Sequence, residues 1–331
     1  MDFLQELPEQ IFRDILLRVP YKSQSNIKQL LEPAKEMMES FQFYQDRIKF
    51  GLTKKYICLL LSNKRISMYD PIDESSELLP HIPTNANVHK IINVNHKIVV
   101  LDEEDNVIPH FLIYDLLSNT WKCGARIPTH RHRFYPFACC ASPDGSIYIA
   151  GGYNKYGGNN DHLREAAIYK VDEDKWELLP EMPQEIGNCK GVFIEGMFYV
   201  IGIVNNRCQR FDPNTRVWTT ITTNMSLPHF GLDILYAFGR LIAFNNEGIM
   251  QYDWEGNVWR ELEPLPQLFT LFVRATVWCD QIFFCGNTHT LPHSEFYMYK
   301  PGPAFPQRWI YVDAPNISRE LLVYTLATVE V

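Results

Sequence analysis

Three polar stretches carry the residues best suited to chemistry. THRHRFYP (129–136) puts two arginines, two histidines and two aromatic rings into eight residues. YNKYGGNNDHLRE (153–165) adds Tyr156, His162 and Arg164, and NTHTLPHSE (287–295) adds His289 and His293. Guanidinium groups clamp carboxylates in a planar fork, imidazoles ligate metals or move protons, and tyrosine and arginine anchor protein interfaces. A zinc site seeded by His130-x-His132 would need carboxylates or thiolates at fixed spacing beside it, which the loop lacks, so no metal is expected. No G-x-S-x-G, H-E-x-x-H or P-loop pattern occurs, and no recurrent acid pair nominates a catalytic dyad. The chemistry that fits is non-catalytic recognition of a protein partner, with no cofactor.

Composition narrows the partner class. The chain has 331 residues, 46% of them apolar, and a formal net charge of −8, so it can bury a sizeable core but has no general affinity for phosphate backbones. No run of 18 apolar residues could span a bilayer, and the acidic start MDFLQELPEQIFRD is not a signal peptide, so cytoplasm or nucleus is the expected location and neither nucleic acid nor membrane the expected partner. The eight cysteines show no C-x-x-C pair and read as small buried hydrophobes in a reducing compartment.

The elements that must position these loops fall into two regions. In residues 1–50 the apolar period is helical: Leu7, Ile11, Ile15 and Leu16 recur at helix spacing, Pro8 suits a first turn and Pro20 stops the segment. Ile27, Leu30 and Leu31, then Met37 and Met38, then Phe41, Phe43 and Ile48 predict two or three further short helices, with Pro33 opening one. So few residues cannot bury this surface alone; the rest of the chain or another protein must cover part of it.

From residue 51 to 331 the period is two, with β-branched and aromatic runs between turn residues. One phrase returns: IYDLLSNTW (113–121), IYKVDEDKW (168–176), RFDPNTRVW (210–218) and QYDWEGNVW (251–259), each with Trp seven positions after its aromatic. The aromatics Tyr69, Tyr114, Tyr169, Phe211, Tyr252 and Tyr299 are spaced by 45, 55, 42, 41 and 47 residues. Four strands per copy, as in FACCAS, SIYIAGG, EAAIYKVD and WELLPEMP, cannot bury both faces of one copy, so the expected fold is an all-β propeller of six blades. The first copy starts at KYICLLLS (55–62) with no innermost strand before it, and LLVYTLATVEV (321–331) is a spare strand; the carboxy terminus is expected to complete blade one.

Propellers present partners with loops at one mouth of the channel. Arg131, His132, Arg133, Tyr135, Tyr156, His162, Arg164, His289 and His293 are expected on that rim, joined by His229 and Phe230 after blade four and Arg274 after blade five.

These repeats resemble the kelch repeat, with a double glycine after the second strand, a Tyr-Asp-type turn and a spaced Trp. Gly151-Gly152 keeps the full pair, Gly202 and Gly286 keep part of it, Ser76 replaces the first Trp, and Trp309 stands three places late. The amino-terminal LPEQIFRDILLRVPYKSQSNIKQLLEPAKEMMESFQFYQDR is similar to the F-box of plant F-box/kelch proteins, except that Glu32-Pro33-Ala34 stands in place of the usual basic-x-Trp. The resemblance implies a substrate receptor of an SCF-type cullin-RING ubiquitin ligase, whose F-box docks a Skp-type adaptor and, through it, the cullin and RING subunits, while the propeller holds a protein to be ubiquitylated. Carried over by position, Leu7, Pro8, Ile11, Ile15, Leu16, Val19, Pro20, Ile27 and Leu30 form the adaptor-facing or F-box-core set. The rival classes are a propeller hydrolase or oxidase, and a kelch scaffold whose helical cap only plugs the ring.

Overall fold

The computed structural model describes residues 7–84, 87–103, 110–128, 133–134, 137–154, 161–203, 207–222, 233–245, 248–266, 269, 271–288, 294–301, 309–313 and 322–331. Four helices come first: α1 (Glu9–Leu17), α2 (Tyr21–Leu30), α3 (Glu32–Met38) and α4 (Phe41–Lys49). Pro8 and Pro20 stand at the N-caps of α1 and α2, and Pro33 lies in the first turn of α3, where a missing N–H costs no helical bond. Ser40 caps α4 by accepting the Phe43 N–H. Leu16, Leu17, Leu31, Ala34, Met38 and Phe43 form the helical core. Ala34, at the place of the usual Trp, is fully buried there, so this core closes around a methyl group rather than an indole.

The rest is six four-stranded antiparallel blades. Blade 1 contains β1 (Lys55–Leu61), β2 (Ile66–Asp70) and β3 (Ser75–Leu78); blade 2 is β4 (Asn87–Val94), β5 (Lys97–Glu103), β6 (His110–Asp115) and β7 (Thr120–Arg126). A short strand, β8 (Arg133–Phe134), precedes blade 3, which is β9 (Ala138–Ala141), β10 (Ser146–Ala150), β12 (Ala166–Lys170) and β13 (Lys175–Leu178), with β11 (Tyr153–Asn154) pairing back to β8. Blade 4 is β14 (Cys189–Ile194), β15 (Met197–Gly202), β16 (Cys208–Asp212) and β17 (Val217–Ile221). Blade 5 is β18 (Asp233–Ala237), β19 (Arg240–Phe244), β20 (Gly248–Asp253) and β21 (Val258–Pro264). Blade 6 is β22 (Leu271–Trp278), β23 (Gln281–Asn287), β24 (Ser294–Tyr299) and β25 (Trp309–Val312). The closing strand, β26 (Val323–Glu330), takes the innermost place of blade 1 against β1, in register from Lys55↔Glu330 to Leu60↔Thr325. The ring thus closes as its repeats require.

The recurring phrase is a turn and a staple. The Asp after the aromatic accepts an N–H two residues on: Asp70 from Ile72 (3.1 Å), Asp115 from Leu117 (2.8 Å), Asp212 from Asn214 (2.8 Å) and Asp253 from Glu255 (3.1 Å). Five residues past the aromatic the chain enters the left-handed region, at Asn119 (φ 56°), Asp174 (φ 54°) and Asn257 (φ 53°), whose side chains accept the hydroxyls of Tyr114, Tyr169 and Tyr252. The Trp then donates to the outer edge of the preceding blade: Trp121 Nε1 to Pro80 O (3.3 Å), Trp176 to Ala125 O (2.8 Å), Trp218 to Pro180 O (2.7 Å) and Trp309 to Pro264 O (3.1 Å). Each apolar layer is accordingly shared by two neighbouring blades, as where Leu60 and Met68 of blade 1 meet Ile91 and Val100 of blade 2. The double glycine is steric: Gly151 (φ 67°) and Gly152 (φ 97°) are left-handed, and a Cβ on Gly151 would lie 2.5 Å from Ile186 O. Cys58, Cys139, Cys189, Cys208 and Cys285 are buried as expected, but Cys123 and Cys279 are exposed, because they stand on an outer strand and in a turn.

Candidate adaptor groove and substrate rim

The amphipathic period of α1 splits its apolar residues between two sides. Leu16 and Leu17 are buried, whereas Ile11 and Ile15, one turn apart, are 49% and 45% exposed, and Leu30 at the end of α2 is 62% exposed. Between α1 and α2 lies an apolar groove of about 180 Å³ lined by Phe12, Ile15, Leu16, Val19, Ile27, Leu30 and Leu31. Five of the residues expected at the adaptor surface, Ile15, Leu16, Val19, Ile27 and Leu30, meet there, while Ile11 lies beside it on α1. Leu7 is half-buried, and Pro8 and Pro20 serve as exposed helix starts rather than groove walls. Phe12 lines the groove without having been singled out by sequence, and Leu31, read from sequence as part of a helical apolar set but not as an adaptor residue, joins it; Phe12, next to Ile11, carries the i, i+4 signal to Leu16 that could have found it.

The groove is held by Arg47 of α4. Its guanidinium donates to Leu17 O (2.6 Å) and Val19 O (2.7 Å) at the carboxy-terminal end of α1, and to Leu52 O (2.6 Å) at the exit toward the propeller. These are carbonyls a helix end and a linker cannot satisfy by themselves. Burial lowers the Arg47 pKa, yet the group stays cationic at any physiological pH.

The helices sit on one face of the ring. Tyr21 Oη donates to Leu116 O (3.2 Å), Lys28 Nζ to Leu117 O, and Lys22 Nζ to Ser75 Oγ (2.9 Å). His96 packs against Phe41 (tilted) and Tyr44 (edge-on), with ring centroids 5.6 and 5.0 Å away, and its Nε2 lies 3.5 Å from Asp115 Oδ2. Lys54 meets Asp70 at 2.6 Å. The propeller groups concerned lie in turns from first to second strand (His96) or from third to fourth (Asp70, Ser75, Leu116, Leu117). In an antiparallel blade the links from second to third strand, and from one blade to the next, must leave from the opposite face. The strand ends that lead into the expected substrate loops therefore point away from the helices.

Of the rim residues, Arg131, His132, Tyr135, Tyr156, His229, Phe230, His289 and His293 lie outside the described residues, and for Arg133 only the β8 backbone is described. His162 and Arg164 are on the expected face. His162 bridges to Tyr153 and packs edge-on against its ring at 5.0 Å, while Arg164 Nε donates to Met182 O (2.6 Å) and approaches Glu181 at 3.8 Å. Arg274 is placed differently: it is no linking-loop residue but part of β22, on the channel wall, where Nε donates to Tyr324 O (2.8 Å). The innermost strand of blade 6 starts earlier than its loop-like flanks suggest, and this carries Arg274 inside. No group of three metal-ligating side chains occurs among the described residues.

Comparison with known proteins agrees with this geometry. The kelch motif matches residues 135–183, which is blade 3 with its double glycine. An F-box/kelch-repeat protein of Arabidopsis thaliana is 26% identical over 257 residues, covering 67% of this chain and 70% of that protein. A second from the same plant is 25% identical over 228 residues, covering 61% of this chain and 62% of its own length. A solved structure described as "Structure of YjhT" superposes with a TM-score of 0.52 at 14% identity, over 70% of this chain and 85% of that one, which shows the propeller fold alone. With kelch-type blades carrying four amino-terminal helices, the chain is similar to the F-box/kelch-repeat proteins of Arabidopsis thaliana.

Proposed function

We propose that this protein is the substrate-recognition subunit of an SCF-type ubiquitin ligase, acting in the cytoplasm or nucleus and performing no catalysis itself. The observation that carries the reading is the open apolar groove between α1 and α2, on a helical unit otherwise fastened to the propeller. An exposed apolar surface with ordered walls suits a partner helix better than it suits water. In this division of labour the adaptor engages the helices and the substrate engages the loops whose flanking strand ends point away from them, with Arg131, Arg133 and Tyr135 as the clamp read from sequence.

Co-expression with a Skp-type adaptor tests this. A stoichiometric complex that Ile11→Asp with Ile15→Asp disrupts is the expected result, and because both side chains are exposed the double variant should keep its fold. No complex, or one indifferent to these changes, refutes the receptor reading. For the rim, alanine at Arg131, Arg133 and Tyr135 together abolishes substrate capture while leaving adaptor binding intact; capture that survives moves the site to another surface.

A further inference from the structure

The propeller channel contains a charge arrangement that neither adaptor nor turn chemistry uses. Its wall is made by the innermost strands of all six blades and lines an open cavity of about 410 Å³, within the range of small-molecule sites. Strand register shows which residues share a level. Lys90 pairs with Leu101, Ala138 with Ala150, Lys190 with Ile201, Asp233 with Phe244, Arg274 with Cys285 and Thr325 with Leu60. In blades 1, 2, 3, 4 and 6 the second-strand residue three positions earlier, Ile57, Ile98, Ile147, Phe198 or Ile282, pairs with the repeat's marker aromatic. In blade 5 the pair Ile242↔Gln251 sets the same register. The level is therefore equivalent around the ring.

At this level every second blade offers a cation: Lys90 from blade 2, Lys190 from blade 4 and Arg274 from blade 6. Between them stand Ala138, Asp233 and Thr325. Three of these side chains lean onto the next blade, Lys90 Nζ toward Cys139 O, Asp233 Oδ2 toward Ala275 N (3.1 Å) and Arg274 Nε toward Tyr324 O (2.8 Å), which fixes their charged ends at the channel wall. The Lys190 side chain makes no hydrogen bond or ion pair among the described residues. Three positive groups face one carboxylate around one ring, in a chain whose overall charge is −8. Like charges converging on a concave, partly desolvated wall raise the potential inside it and favour a counter-anion.

We propose that the channel binds a compact multivalent oxyanion, phosphate- or carboxylate-bearing, held among Lys90, Lys190 and Arg274. The site is independent of the adaptor groove, which lies on the helical unit outside the ring, so it stands whether or not the protein joins a ligase. Isothermal titration of the full chain with inorganic pyrophosphate and, separately, with citrate tests it, against potassium chloride at matched ionic strength. Saturable binding of pyrophosphate alone assigns a phosphorylated ligand, of citrate alone a carboxylate, and of both a ligand selected by charge density; each supports the site. Lys190→Met, which breaks no bond of the fold, weakens that binding about tenfold or more while leaving the thermal midpoint of the free protein unchanged. Absence of saturable binding of both anions at millimolar concentration, an equal response to chloride, or unchanged affinity in Lys190→Met overturns the proposal.

Discussion

Replacing Arg47 by methionine removes the guanidinium but keeps an unbranched side chain in the space it fills. Three carbonyls lose their donor, but Val19 O keeps the Gln24 Nε2 bond at 3.3 Å, so Leu17 O and Leu52 O bear the loss. A hydrogen bond to a charged group contributes about 1.5–3 kcal/mol net, so the two together amount to about 3–6 kcal/mol of local stability. The loss falls on the end of α1 and on the exit toward the propeller, because Arg47 touches no blade through these bonds. Amide exchange read by mass spectrometry on α1 should accelerate on the order of 100-fold, the equivalent of about 3 kcal/mol, while the blade strands keep their protection. If the groove takes an adaptor as proposed, that binding should weaken with it, although Arg47 does not line the groove. Arg47→Lys retains the charge without the fork that spans three acceptors, and falls between wild type and Arg47→Met. Unchanged exchange in α1 together with unchanged adaptor affinity in Arg47→Met would refute the view that this residue holds the groove open.

Gly151→Ala should destabilise the propeller by more than about 2 kcal/mol in urea unfolding, since a left-handed φ costs about 1–2 kcal/mol for a residue with a Cβ and the Ile186 carbonyl must also move; a neutral result would show that blade 3 relaxes freely there. At the junction, burial alone would raise the Asp115 carboxyl, but the hydrogen bond and charge of His96 with the Leu117 and Ser118 N–H groups outweigh it and hold the pKa below the ordinary value. A depressed folded pKa gives stability that is complete above the unfolded value near 4 and is lost as pH falls through the folded one, so Asp115→Asn should flatten the acid limb of a stability curve below about pH 4. An acid limb identical to wild type would contradict that assignment.

The blades were legible because their marks are local. An aromatic, an Asp two residues before the N–H it accepts, a left-handed Asn or Asp, and a Trp at a set distance can be read without knowing what lies across the ring. The groove was partly legible for the same reason: helical spacing puts Ile11 and Ile15 on one side, but cannot say that Leu16 and Leu17 turn inward around Ala34 and Phe43. Arg274 was not legible. Innermost strands border a channel instead of two apolar sheets, so their pattern is weak, and LFVRATVW resembles a link as much as a strand.

The sequence by itself determined the number of blades, their turns and the origin of the closing strand, because each follows from contacts among residues close in the chain or from a strand left without a partner. Only the tertiary structure decided that Lys90, Lys190 and Arg274 share one level of the channel, and that the helices occupy the face opposite the strand ends that lead into the candidate substrate loops. Both depend on how blades whose inner strands lie more than 40 residues apart in the chain pack around one ring. A slip of one residue in any inner strand would turn its charge to the other face of the blade, and nothing in the local pattern of those strands forbids it; the packed layers between blades do.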